Sequence, residues 1–335
     1  MLVKKMINVL KILFLIIYLL VHSSFAFANQ QDFDSWLQDF KITAKKNGIS
    51  QKVIDDILSN ATYLNQVILY DNKQPEFFEK TNEYINKRAT KRAVNQAIII
   101  LNQNKSIFEK VEKDFNINKE LILALWSTET NFGNNLGKMD IVSSLATLSF
   151  DKRRSQYFTE ELLTLLKLVD KNVLKKENLF GSWAGALGNF QFMPSVIKDY
   201  AIDYDKNGNI DLKNSKDDAI ASAANYLSKI GIKKDYPCFD EVKFEKDIDN
   251  KLFNFSARNI HNKKTIIDWQ KLGINFLNEN SRKNSSIAAL VLPDGDITSP
   301  KFLVYDNYEV ILKWNRSLRF ALSICSLSDS IKNEI

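Results

Sequence analysis

Apolar positions recur at helical spacing along most of the chain. Trp36, Phe40 and Ala44 stand four apart and run out at Gly48, which predicts a helix with one buried face and a glycine stop. Residues 76–113 carry two further helical patterns whose Lys- and Arg-rich positions read as solvated faces. A compact helix is predicted over 118–132, with Asn118 as N-cap and Gly133 just past its end. Helices are also predicted over 156–174 and over 218–230, the latter stopped by Gly231, and Pro194 opens another after a Gly-rich, aromatic loop at 181–194. From about 233 to 305 the pattern changes. Val242–Phe244, Leu290–Leu292 and Phe302–Tyr305 read as short strands, with Pro293-Asp294-Gly295 as a turn. A last helix is predicted from near Trp314 to about Ile331. The expected class is mainly α (α+β), with an N-terminal helical region over 29–115, a core over 116–232, a small β-containing region over 233–305 and a C-terminal helix over 306–335.

The first 28 residues break this pattern. Lys4, Lys5 and Lys11 lead into an apolar run from Ile12 to Val21, followed by Ala26-Phe27-Ala28. A basic start, a short apolar stretch and a small-x-small site are the layout of a cleavable signal peptide, and the run is short for a membrane span of about 20 residues. No Cys stands near the cut, so no lipid anchor is expected there, and a periplasmic location follows. Removing the leader takes three Lys and no acid from 46 basic and 40 acidic residues, so the formal charge drops from +6 to +3. That balance gives no reason to expect a nucleic-acid partner, and it suits a polyanionic wall polymer equally well. His261 is then the only histidine left, which excludes the usual His-rich catalytic zinc sites and confines any Ser-His-Asp triad to that residue. Cys238 and Cys325 could pair in an exported protein.

Candidate chemistry centres on Glu129. Ile122, Leu125, Trp126 and Glu129 stand at i, i+3, i+4 and i+7, so an ionisable group falls where an apolar residue was due. Desolvation beside Trp126 and the partial negative charge of a helix C-terminus both favour a protonated carboxyl, which is what a general acid needs. A Glu at the edge of the stripe, solvated or paired with Lys or Arg, gives the same spacing.

Five segments then point one way. Ser127-Thr-Glu-Thr-Asn-Phe-Gly133, Gly181-Ser-Trp-Ala-Gly-Ala-Leu-Gly-Asn-Phe-Gln-Phe-Met-Pro-Ser195, Lys313-Trp-Asn-Arg-Ser317, Asp71-Asn-Lys-Gln-Pro-Glu-Phe77 and Ser143-Ser-Leu-Ala-Thr-Leu-Ser-Phe-Asp-Lys-Arg-Arg154 resemble, in order along the chain, landmarks of the B-type lytic murein transglycosylases. The resemblance implies a lysozyme-like catalytic core. It also implies cleavage of the β-1,4 bond between N-acetylmuramic acid and N-acetylglucosamine in peptidoglycan, with Glu129 as acid and then base and a 1,6-anhydromuramoyl end as product. It places Ser182, Gln191, Tyr226, Trp314 and Asn315 against the sugar, with Arg153 and Arg154 facing either the acidic stem peptide or a salt-bridge partner. Glycan strands are the expected partner, cell-wall synthases or amidases are candidate ones, and a monomer is expected. Two departures stand out: Phe320, where the family often has Tyr, and the polar Ser127-Thr128 pair, where it usually has Gly or Ile. Gly185 and Gly188 are expected to let backbone approach the glycan. The alternatives are a muramidase, which needs a second carboxylate such as Asp151 or Asp199 beside the bond, and a non-catalytic wall-binding protein.

No cofactor is needed for this chemistry, but a structural Ca2+ is a candidate. Asp203, Asp205, Asn207, Gly208 and Asn209 match positions 1, 3, 5, 6 and 7 of an EF-hand loop, while position 12 is Asn214. Asp218, or Asp217 beside it, is the expected closing carboxylate. A metal-free Asx-rich turn is the other reading.

Overall fold

A computed structural model describes residues 30–73, 78–278 and 283–335. The leader at 1–28 lies outside the described residues, as do Gln74, Pro75, Glu76 and Phe77 of the Asp71–Phe77 landmark. Among the described residues no helix is long and apolar enough to cross a membrane.

The chain divides into two compact units and passes between them several times. One comprises residues up to Lys73, Gly137–Leu187 and Met193–Lys198; the other comprises Gln74–Leu136, Gly188–Phe192 and Asp199–Ile335. The first unit opens with α1 over 30–46, α2 (Gln51–Leu58) and α3 (Asn65–Asn72). The second then begins with α4 (Thr81–Arg88), α5 (Lys91–Gln103), α6 (Lys105–Phe115) and α7 (Lys119–Thr130). Three helices thus stand where two were expected, because Thr90 caps α5 by accepting from Ala93 N at 3.1 Å and Asn104 ends it.

Back in the first unit, β1 (Met139–Asp140) pairs antiparallel with β2 (Phe180–Gly181). Between these strands run α8 (Ile141–Phe150), capped by the Asp140 carboxylate on Val142 N, and α9 (Ser155–Asp170). An aromatic cluster of Phe33, Trp36, Tyr63 and Phe150 fills the space beside α1. The unit's last segment carries most of α10 (Pro194–Tyr200), which opens at Pro194 as expected. Ser195 N and Oγ both donate to the buried Glu161 carboxylate.

The rest of the second unit holds α11 (Lys216–Ile230) and an antiparallel five-stranded sheet. Its strands are β3 (Phe239–Phe244), β4 (Lys264–Thr265), β5 (Ile274–Phe276), β6 (Ile287–Val291) and β7 (Lys301–Val304), in the order β4-β6-β7-β3-β5. Leu290 pairs with Leu303, and Val242 with both Phe276 and Lys301. Val242, Ile266, Trp269, Leu290 and Leu303 form the sheet's own apolar core, reached in part through α12 (Ile266–Lys271). Sequence patterning found the three central strands. It missed β4 and β5, which are too short for alternation to show.

The region 306–335, expected to hold one helix, holds two. α13 (Asp306–Trp314) stops, Asn315 is extended, and α14 (Leu318–Lys332) starts anew with the Ser317 hydroxyl accepting from Phe320 N at 3.1 Å. Ser at this point competes for backbone donors more effectively than it continues a helix. α14 packs along α7 and α4, and the two cysteines do pair: a Cys238–Cys325 disulfide ties the chain just before β3 to α14.

Candidate active site

The helix that carries Glu129 differs from its predicted form in one instructive way. Residues Glu120 through Trp126 are all buried, so α7 is a core helix apolar on every side and not a striped surface helix. Only its last turn rises from the interior, where Ser127, Thr128 and Glu129 are half-buried. Asn131 ends α7 in the left-handed conformation, its N–H donating to Ser127 O and Trp126 O. Asn118 stands at the N-cap position as read, but its side chain is turned to Asp235 instead of to its own helix.

Asn189, in the Gly-rich segment, clamps this end of α7. Its Oδ1 accepts from Trp126 Nε1 at 2.9 Å, its carbonyl accepts from the Thr130 hydroxyl at 2.7 Å, and its Nδ2 donates to Leu212 O and Lys213 O. The glycines of the same segment serve packing. A Cβ on Gly188 would lie 2.8 Å from Leu212 Cβ, and one on Gly185 2.4 Å from a Leu145 methyl. A close approach to protein at both positions accounts for the absence of a side chain.

Oε1 of Glu129 accepts a hydrogen bond from Trp314 Nε1 at 2.9 Å. Trp314 ends α13 and sits in an aromatic wall: Tyr226 stacks on it at 5.0 Å and 27°, Phe192 meets it edge-on at 5.5 Å, and Phe190 lies at 6.4 Å. Tyr226 is itself stacked on Tyr200 at 4.4 Å and 28°. Its hydroxyl donates to Lys313 O at 3.3 Å, and burial, with Tyr200 as a second cause, pushes the phenol up to about 12. Glu129, Trp314, Tyr226 and the two phenylalanines thus come together in one corner of the second unit. Tyr200 was missed by sequence reasoning, because nothing in its spacing distinguishes it from any aromatic at a helix end.

The remaining expected groups are distributed as follows. Gln191 has left-handed backbone (φ 49°), and its Nε2 donates to Gly188 O and Leu136 O at 3.0 and 3.3 Å. Asn315 is half-buried directly after α13. Ser182 belongs to the first unit, where its Oγ accepts from Ala186 N at 3.0 Å and closes a tight turn. Phe320, the departure from Tyr, is buried. In the first unit Arg153 and Arg154 both bond the buried Asp71 carboxylate, so two landmarks of the sequence meet in one ion-pair cluster. Both arginines also line a depression of about 490 Å³ together with Lys152, Gln156, Tyr157 and Glu160.

The acidic loop has the turns of a cation site. Asp203 accepts from Asn207 N and Gly208 N, Asp205 from Asn207 N, and Asn207 from Asn209 N. Carboxylate oxygens of Asp203, Asp205 and Asp218 lie within 4.8 Å of one another. Asn214 turns its amide to Asp211, and of the two aspartates proposed to close the loop, Asp218 is the one in the cluster. Asp218 is fully buried, and burial raises its pKa against the hydrogen bonds it accepts from Asp211, Tyr204 and Asp205. Three oxygens converging around a buried carboxylate are a donor set that suits a hard divalent cation.

Comparison with known proteins places this arrangement. The model of the family described as "Transglycosylase SLT domain" matches residues 32–329. Membrane-bound lytic murein transglycosylase B of Escherichia coli is 35% identical over 196 residues, 56% of this chain and 54% of that protein. The chain therefore spans about half the length of the curated relative it matches. SltB3 from Pseudomonas aeruginosa, solved in complex with NAG-NAM-pentapeptide and with NAG-anhNAM-pentapeptide, superposes with a TM-score of 0.79 at 31% identity, covering 90% of this chain and 79% of that one. The Escherichia coli lytic transglycosylase Slt35, solved in complex with bulgecin A, superposes at 0.75 with 28% identity over 92% of this chain and 95% of its own; it has also been solved in complex with calcium. The mainly α, lysozyme-like architecture is the one these structures share, and the chain belongs to the transglycosylase SLT-domain family, as its five ordered motifs implied.

Proposed function

We propose that this protein is a lytic transglycosylase of peptidoglycan in which Glu129 is both acid and base. The observation that carries this reading is the setting of Glu129: a carboxyl on the emerging turn of a buried helix, half-buried, with an indole N–H on one oxygen and an aromatic wall behind it. In the protonated form it donates its proton to the glycosidic oxygen between N-acetylmuramic acid and N-acetylglucosamine as the C1–O bond breaks. The carboxylate then takes the proton of the muramoyl C6 hydroxyl, whose oxygen closes on C1. The products are a 1,6-anhydromuramoyl end and a free 4-hydroxyl. No water is consumed, and Glu129 finishes protonated as it began. The SltB3 complex with an anhydro-sugar ligand supports this product.

Ser182, Gln191, Trp314 and Asn315 are assigned to holding the glycan. Tyr226, whose hydroxyl is engaged with Lys313 O, is assigned to supporting the wall with its ring. Asp203, Asp205 and Asp218, with Asn207 and Asn209 in the same loop, would hold a structural Ca2+, a reading supported by the calcium complex of Slt35. The leader would deliver the chain to the periplasm, where its substrate lies.

The deciding experiment is muropeptide analysis of sacculi digested by the wild type and by Glu129→Gln. Anhydro ends from the wild type and a loss of about 10³-fold in the variant are expected, within the range for removing a general acid–base group. Reducing ends would indicate water attack and a muramidase. Binding without release, unchanged by the substitution, would indicate a wall-binding protein.

A further inference from the structure

We propose that Trp314 is a positioning residue of the reaction: its indole N–H holds Oε1 of Glu129 and so orients the carboxyl, and the Tyr200–Tyr226 stack holds the indole in place. The inference rests on Glu129 being the proton donor. An indole nitrogen has one hydrogen and no lone pair to offer, so Trp314 only donates. A protonated carboxyl presents one carbonyl oxygen, the better acceptor, and one hydroxyl. With the N–H held 2.9 Å from Oε1, the carboxyl enters the reaction already oriented. The same N–H remains matched when Glu129 is ionised, so it stays in place through both halves of the cycle.

The indole is unusually well fixed. Its ring lies on Tyr226, which lies on Tyr200, and Phe192 meets both the indole and Tyr226 edge-on. The residue next to it is fastened twice, with Lys313 O accepting from the Tyr226 hydroxyl and the Lys313 side chain donating through Nζ to Ile230 O at 2.9 Å. Tyr200 is secured in turn, its carbonyl accepting from Asn225 Nδ2 at 2.8 Å. Asn225-Tyr226 is thus a two-residue brace on α11: one side chain holds the outer ring, and the other forms the middle of the stack. A side chain that only lined a sugar groove would need no particular rotation about its ring normal, whereas a donor aimed at one carboxyl oxygen does.

The test replaces Trp314 in the full chain by β-(3-benzothienyl)alanine, which keeps the shape of the ring and exchanges the N–H for sulfur. Two substrates are compared: glycan strands from sacculi, and a muramoyl glycoside with 2,4-dinitrophenolate as leaving group, which departs without protonation. On glycan, kcat falls about 10- to 100-fold, the value of a hydrogen bond to a charged group, while KM stays within about twofold. On the activated glycoside most of the loss disappears. Trp314→Phe repeats the pattern with the donor removed and a ring retained. Tyr200→Leu, which never reaches Glu129, shows the same pattern at smaller amplitude. A raised KM with kcat intact, or an equal loss on both substrates, overturns the proposal, because the first is a wall contact and the second a general structural role. Full activity in Tyr200→Leu removes the stack from it. A wild type that releases no muropeptides sinks the reading of Glu129 itself, and is distinguished by failing before any substitution is made.

Discussion

Two carboxylates in the second unit are met by donors of different kinds. Asp294 lies in the turn after β6. It accepts from Thr81 N, from the Thr81 hydroxyl at 2.7 Å and from Arg319 Nη2 at 2.8 Å, with its side chain 3% exposed. Burial works against its charge, but the Thr81 and Arg319 contacts prevail and hold it below the ordinary carboxylate range. Glu129 accepts from the neutral N–H of Trp314, whose ring stacks on Tyr226. A guanidinium commits a carboxyl to its charged form and so to structure. An indole N–H is compatible with both protonation states, which is the condition for handing a proton out and taking it back.

That contrast can be broken by experiment. The largest effect expected is that of Glu129→Gln: an activity loss of about 10³-fold with a melting midpoint near that of the wild type. A large drop in stability would place Glu129 with Asp294 as a structural group. Next comes removal of the disulfide by Cys238→Ser with Cys325→Ser. The bridge closes an 87-residue separation onto α14, the helix that also carries Arg319, and a chain-entropy estimate gives a loss of about 4–5 kcal/mol. Chemical denaturation of both forms measures it.

Asp294→Asn is expected to cost about 3 kcal/mol by leaving a largely buried guanidinium without its partner. Its pH signature is also fixed. The folded-state pKa is depressed, so the stabilisation is present above the unfolded-state value of about 3.9 and is lost as pH falls through the folded-state value. The wild type should therefore lose stability with acid below about pH 4 more steeply than the variant, and equal slopes would remove Asp294 from the account. The smallest effect is at the acidic loop. Calcium at about a hundred times its Kd should raise stability by about 2.7 kcal/mol, read as an upward shift in melting midpoint that Asp203→Ala abolishes. No response to calcium or to chelator would leave the loop as a set of Asx turns.

Glu129 was legible in the sequence, but for a reason that the fold revises. A carboxyl at i+7 of an apolar pattern singles it out as a candidate. However, the helix is buried all round, and the departure from burial is in its last turn, which periodicity over one face cannot convey. Glycine in the 181–195 segment was legible as a constraint but not as to what it approaches, since Leu145 and Leu212 are distant in sequence. Asp71 and the Arg153-Arg154 pair were each visible as landmarks, and only the three-dimensional fold joins them. The break after Trp314 could have been read from Ser317, whose side chain is a better cap than a helix interior residue. The apolar run that resumes at Leu318 masked it. Tyr200 was beyond reach, because ring stacking across elements leaves no local trace.

The extended residues between α13 and α14 have a consequence for how this protein can change. In one unbroken helix, inserting or deleting a single residue turns everything downstream by about 100°. Here such an edit at 315–317 falls in non-helical chain between the two helices, so it is not passed on as that rotation. Trp314, upstream, and Arg319 and Cys325, downstream, therefore belong to separate helical registers, and a change in the register of one helix is not imposed on the other.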